Sequence, residues 1–256
     1  MAVLKEFDCD ALNVRVFDSR EAMGNCAGRE AAAQIRALLE KKESINVMFA
    51  AAPSQNETLA ALVAEPDIDW KRINAFHMDE YVGLDPAHPA GFGNFLKRSI
   101  FDLKPFRSVN LLNGNAGDPA AEARRYDRLL RENPLDVCLL GVGENGHIAF
   151  NDPPVADFDD PLYVKVVALE ERCRMQQVND GCFERVDQVP THALSVTIPG
   201  LIQAKAMFCS VPAATKAEAV FHMLRQKIST ACPASILRRH ACARLYVDAD
   251  AGKKVL

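Results

Sequence analysis

The stretch from Leu135 to Pro154, L-D-V-C-L-L-G-V-G-E-N-G-H-I-A-F-N-D-P-P, constrains the fold more than any other part of the chain. Residues 137–142 form an unbroken apolar run of strand length that opens into Gly141, Gly143 and Gly146. A strand that is apolar throughout, instead of at every second position, is buried on both faces, as in a parallel sheet covered by helices. Its loop then leaves the carboxyl end, where open α/β sheets take their ligands. That loop holds Asn145, His147 and Asp152, and Pro153-Pro154 bars a helix from continuing. An imidazole on an irregular loop at a strand end is a candidate for proton chemistry. The same letters spell G-x-G-x-x-G, but a dinucleotide fingerprint needs its third glycine to open a long helix. Here the prolines come first and residues 163–169 read as another strand, so the glycines are taken to let backbone approach a small ligand closely.

The rest of the chain repeats the alternation. Residues 20–42 carry a helical apolar face, with Gly24 and Gly28 expected to weaken the first turns. A strand over 45–52 precedes Pro53-Ser54-Gln55-Asn56-Glu57, where Ser54 and Glu57 fit a capping box for a helix over 58–64 and offer an anion site at its amino end. A strand over 73–76 delivers Met78-Asp79-Glu80-Tyr81, and in an extended chain the two adjacent carboxylates face opposite ways, so one of them enters a pocket. Further helices are expected over 94–103, 118–132 and 212–228, the last with Lys216 in its first turn, and further strands over 109–112, 163–169, 192–198, 207–211 and 244–247. Asp118-Pro119 supplies a cap and a first-turn proline. Residues 170–188 read only as partial helix. Strands alternating with helices predict an α/β fold, a doubly wound, mostly parallel sheet with helices on both faces of the Rossmann-like kind. Without a linker or low-complexity run, residues 1–256 are expected to form a single domain.

Composition removes several function classes. Thirty basic against 34 acidic residues give a net charge of −4 with no basic stripe, so no nucleic-acid partner is expected. No apolar segment reaches spanning length and Met1 to Asp10 lacks an apolar signal region, so no membrane partner and a cytoplasmic location are expected. Eight cysteines are scattered without C-x-x-C, and no histidine pair has ligand spacing, which favours reduced packing cysteines, with neither metal nor cofactor.

Four blocks carry a resemblance: F-H-M-D-E-Y-V-G-L at 76–84, N-L-L-N-G-N-A at 110–116, G-V-G-E-N-G-H-I-A-F-N-D-P at 141–153 and V-P-T-H-A-L-S-V-T-I at 189–198. In this order, from about Asn46 to Lys216, they resemble the glucosamine-6-phosphate deaminase/isomerase family. Relatives on the same fold are 6-phosphogluconolactonases and non-catalytic sugar-phosphate sensors, and the M-D-E-Y-V-G-L block favours the deaminase branch. The resemblance implies an enzyme converting an aminosugar phosphate to a ketose phosphate and ammonia by ring opening and C2 to C1 proton transfer, with a small-molecule sugar phosphate as partner and a homo-oligomer left open. By motif, Asp79 matches the family's enolisation base, His147 its ring-opening histidine and Asp152 the glutamate of that step. Ser54, Glu80, Gly143, Gly146 and Lys216 are expected to bind substrate, Lys216 at the phosphate.

The chain also departs from the family pattern. Asn145 stands where the family commonly has aspartate, and an amide carries no charge. Asp152 is a methylene shorter than the usual glutamate. The partner that orients His147 is therefore either Asp152 or Glu144. The phosphate loop keeps only Ser54, and the phosphate arginine has no clear match at 170–185. If Glu57 closes a capping box it occupies donors a phosphate would use, which predicts that glucosamine 6-phosphate is a poor substrate.

Overall fold

In the computed structural model, which describes residues 2–256, the apolar run becomes an inner strand with every residue buried. The elements in chain order are β1 (Val3–Cys9), β2 (Leu12–Phe17), α1 (Arg20–Leu39), β3 (Ile45–Phe49), α2 (Asn56–Ala64), β4 (Ile73–His77), β5 (Asp79–Tyr81), α3 (Phe92–Leu96), β6 (Ser108–Asn110), α4 (Pro119–Glu132), β7 (Val137–Leu140), β8 (Val164–Ala168), α5 (Glu171–Asn179), β9 (His192–Val196), α6 (Ile198–Ile202), β10 (Ala206–Val211), α7 (Ala217–Arg225), β11 (Ala243–Asp248) and α8 (Ala249–Gly252). Eight strands form the main sheet in the order β1-β2-β11-β10-β7-β3-β4-β6, parallel except for the β1–β2 hairpin.

Strand β7 explains its own composition. Cys138 and Leu140 pack into the core on one face of the sheet, with α4, α6 and α7, while Val137 and Leu139 pack into the other, with α1 and α2. A polar residue at any of the four would face a core, which is why the run does not alternate. Asp136, just before the strand, accepts from the Asn46 amide at 3.1 Å and so pins β7 beside β3 at their amino ends.

The order of strands matters for function. From β3 the chain runs outward to β4 and β6, then returns to place β7 on the other side of β3 and continues through β10 to β11. The loops after β3 and β7 thus diverge to opposite faces and leave a crevice at the carboxyl edge, the usual ligand position of such sheets.

Three features depart from the sequence reading. The strands over 163–169 and 192–198 are not in the parallel sheet: β5, β9 and β8 form a separate antiparallel sheet. β8 is only partly buried, with Val166 and Ala168 exposed, as suits an antiparallel sheet open on one side, and β5 is too short to read as a strand. Gly24 and Gly28 do not simply weaken α1. A Cβ on Gly24 would lie 2.3 Å from the Glu57 Cβ and one on Gly28 2.6 Å from the Ala61 Cβ, so the glycines let α1 and α2 touch. Residues 170–188 hold α5 and a short turn at Val186–Gln188.

Candidate active site

The crevice is a cleft of about 510 Å³, a volume that includes its open mouth. Ser54 and Gln55 line it from the loop after β3, Gly143 and His147 from the loop after β7, Asp79 from β5 and Gln177 from α5. Among the described residues, Asp79 and His147 are the only titratable side chains in its lining.

His147 is held by the backbone beneath it and by two acceptors. A Cβ on Gly143 would stand 2.1 Å from the ring's Cε1, so only glycine lets the imidazole lie on this loop. The ring's Nδ1 is 2.7 Å from Asn145 Oδ1 and 3.0 Å from Asp152 Oδ1. Two acceptors around Nδ1 require it to carry hydrogen, which leaves the Nε2 lone pair as the basic site. Burial works to raise the Asp152 carboxyl, but hydrogen bonds from His147 and Asn145 outweigh it and hold the pKa below the ordinary aspartate value. The open question of the orienting partner is thereby answered: Asp152 reaches the ring. Glu144 does not serve; its amide donates to Gln176 Oε1 at 2.8 Å and its carboxylate Oε1 is buried without a hydrogen-bond partner.

Asp79 opens β5 opposite Ser195 of β9, which lifts it above the carboxyl edge of the main sheet. It accepts no hydrogen bond from the described residues. Burial, and then the neighbouring charge of Glu80, push its carboxyl well above the ordinary value. Glu80, expected among the substrate contacts, is turned away from this cleft: its oxygens accept from the Phe92 and Gly93 amides at 3.1 and 2.9 Å. Strand alternation sends its side chain to the other face, where the free amides at the start of α3 capture it.

The phosphate side needs more correction. No capping box forms at α2. Residues Pro53–Gln55 make a tight turn, Gln55 is the residue before the helix, and no side chain caps it. Glu57 instead pairs with Arg20 at 2.8 Å, so the expected competition with a phosphate loses its basis. Gly146 does not line the cleft; it adopts φ +83°, which glycine takes at no steric cost, and a Cβ there would stand 2.7 Å from the Cys232 Sγ. Lys216 lies outside the lining, 3% exposed, with no hydrogen-bond partner for Nζ among the described residues. Burial lowers its pKa against the opposing pull of the Asp180 and Glu144 charges. No arginine of 170–185 turns to the cleft: Arg172 donates to Glu144 O, Arg174 to Val186 O and Val189 O, and Arg185 pairs with Asp187.

Sequence reasoning passed over Glu170 and Cys173. Asn145 Nδ2 donates to Glu170 Oε2 at 2.7 Å, and Cys173, its thiol pushed well above the ordinary value by burial and then by Asp152, packs beside that carboxylate. One signal was present: an irregular polar stretch as long as 170–188 is uncommon unless it is functional. One group among the described residues could hold a metal ion, His147, Asp152 and Cys173, with candidate ligand atoms within 4.8 Å of one another. The His147 nitrogen that faces Asp152 is the one that carries hydrogen here, so a metal would displace that proton and undo the present network.

Fold and cleft together define an α/β protein with a carboxylate and an imidazole at the switch point of its sheet. Residues 18–247 match the family described as glucosamine-6-phosphate isomerases/6-phosphogluconolactonase, and the chain belongs to that family. A glucosamine-6-phosphate deaminase of Listeria monocytogenes serotype 4a (strain HCC23) is 35% identical over 207 residues, 81% of this chain and 86% of that one. One from Exiguobacterium sp. (strain ATCC BAA-1283 / AT1b) is 36% identical, covering 73% of this chain and 72% of its own. Among solved structures, a monomeric glucosamine-6-phosphate deaminase superposes with a TM-score of 0.84 at 28% identity, covering 94% of this chain and 98% of that one. A 6-phosphogluconolactonase from Thermotoga maritima, at 17% identity and a TM-score of 0.74, shares the fold.

Proposed function

We propose that the protein deaminates and isomerises glucosamine 6-phosphate, consuming water and releasing fructose 6-phosphate and ammonia, as a cytoplasmic enzyme of aminosugar breakdown. The observation that carries this reading is that, among the described residues, Asp79 and His147 are the only titratable groups lining the cleft, one a carboxylate and the other an imidazole with Nε2 free.

His147 Nε2 takes the proton of the anomeric hydroxyl and returns it to the ring oxygen, which opens the sugar to the aldehyde. Asp152 and Asn145 hold the ring in the tautomer this needs. Asp79 then removes the C2 proton to give an enolamine, exchanges that proton with solvent, and protonates C1, leaving an iminium at C2. Water adds there and ammonia departs. A carboxylate with a raised pKa is a stronger base for a carbon-bound proton than an ordinary one. Lys216 is the cation this reading assigns to the phosphate, and burial without a partner among the described residues is what a cation awaiting an anion looks like. A lactonase would use the imidazole on water and leave Asp79 idle.

The test is release of ammonia and ketose phosphate from glucosamine 6-phosphate in deuterated water, with one deuterium expected at C1 of the product. Turnover without label at C1, or no ammonia at all, overturns the reading.

A further inference from the structure

We infer that Glu170 is a positioning residue, which sets the tautomer of His147 by locking the amide of Asn145; for its effect on turnover the inference rests on the function proposed above.

An asparagine side chain has one face that only accepts and one that only donates. At Asn145 both faces are in use. Oδ1 accepts from the His147 backbone N–H at 3.1 Å and lies 2.7 Å from His147 Nδ1. Nδ2 donates to Asp152 Oδ1 at 2.9 Å and to Glu170 Oε2 at 2.7 Å. Turning the amide over would set Nδ2 against the His147 N–H and Oδ1 against two carboxylate oxygens. The orientation is therefore fixed, and it presents an acceptor to Nδ1. Hydrogen stays on Nδ1, and Nε2 is left free toward the cleft.

Glu170 holds both partners of the histidine at once. Besides accepting from Asn145, its backbone N–H donates to Asp152 Oδ2 at 3.3 Å. It also occupies the position before α5, where a side chain would ordinarily accept from the helix's first amides, yet it makes no capping bond. Its carboxylate reaches back to the loop instead, so local helix stability has been given up for the contact with Asn145. The position of the negative charge is the further consequence. A carboxylate at 145 would face Asp152 and Glu170 without a donor between them, whereas an amide there, with the carboxylate one bond outward, satisfies every group.

Two measurements test this. Long-range nitrogen–proton NMR of the wild type is expected to find hydrogen on His147 Nδ1, and Glu170→Ala to give a mixture of tautomers. With glucosamine 6-phosphate, Glu170→Ala is expected to lose about tenfold or more in kcat with KM nearly unchanged, since substrate does not touch the residue. Glu170→Gln keeps an acceptor and recovers most of that loss. Asn145→Asp alone is expected to fall by a similar factor, and Asn145→Asp combined with Glu170→Gln to recover part of that loss, because the glutamine amide then donates to the new carboxylate while its contact with Asp152 remains unrelieved. An unchanged tautomer in Glu170→Ala overturns the inference, as does a double variant no better than Asn145→Asp. If the wild type releases no ammonia, the proposed function fails while the tautomer measurement still decides the role of Glu170.

Discussion

Asp79 and Asp152 are aspartates of one site, 8% and 1% exposed, and their environments drive them in opposite directions. Asp79 stands on a short strand with no donor and a like charge next to it, and its pKa rises well above the ordinary value. Asp152 sits in a loop where an imidazole, an amide and a backbone N–H point at it, and its pKa falls. Burial acts on both. What separates them is the supply of donors, and under the proposed function that divides the labour between a carboxylate that exchanges a proton and one that stays ionised to orient a neighbour.

The largest expected effect comes from removing the base: Asp79→Asn should lower kcat by about 10² to 10⁴ while substrate still binds, measured by ammonia release and by isothermal titration. Retention of C1 labelling at the wild-type rate would break the division. Gly143→Ala attacks the other side. Its methyl would occupy the place of the imidazole, and we expect a loss of about 10² in kcat with the His147–Asp152 contact broken, seen in the histidine NMR resonances.

Stability should sharpen the contrast by its sign. Asp79→Asn removes a buried carboxylate without donors and is expected to stabilise the fold by about 0.5 to 2 kcal/mol, whereas Asp152→Asn loses charge-assisted bonds and should cost about 1.5 to 3 kcal/mol. Urea titration at neutral pH decides between them; shifts of the same sign would mean that burial alone governs both. The smallest effects are in pH dependence. Because Asp79 has a raised folded pKa, its contribution is fully present below its unfolded value of about 3.9 and is lost as pH rises through the folded one. Asp152, with a lowered value, contributes above about 3.9 and loses that contribution as pH falls through its folded pKa. The acid limb of kcat/KM should accordingly lie above the ordinary aspartate range, since Asp79 must shed its proton to act.

What could be read in the sequence was what is local. The apolar run of β7 and its glycine loop announced a buried strand and a site, and Asp118-Pro119 marked the start of α4, where the Asp118 carboxylate accepts from the Ala120 and Ala121 amides. What escaped depended on distant partners. Gly24 and Gly28 looked like helix breakers because the helix they admit lies some thirty residues on. The β1–β2 hairpin was not read, since β1 exposes Val3 and Leu4 and has no clean alternation. Ser54 and Glu57 had capping-box spacing, yet Arg20 drew the glutamate away. Glu170 lay in a stretch without periodicity, and its meaning came only from the loop 25 residues before it.

Lys216 has a kinetic consequence. A cation that is buried and acted on by the charges of Asp180 and Glu144 projects little attraction into solvent, and the chain as a whole carries −4. An approaching sugar phosphate is therefore not steered, and its arrival should depend weakly on ionic strength. As the cation proposed for the phosphate, Lys216 would act only after entry, and so would lengthen the stay of the ligand without hastening the encounter. Lys216→Met should accordingly raise the dissociation rate and leave the association rate nearly as it was.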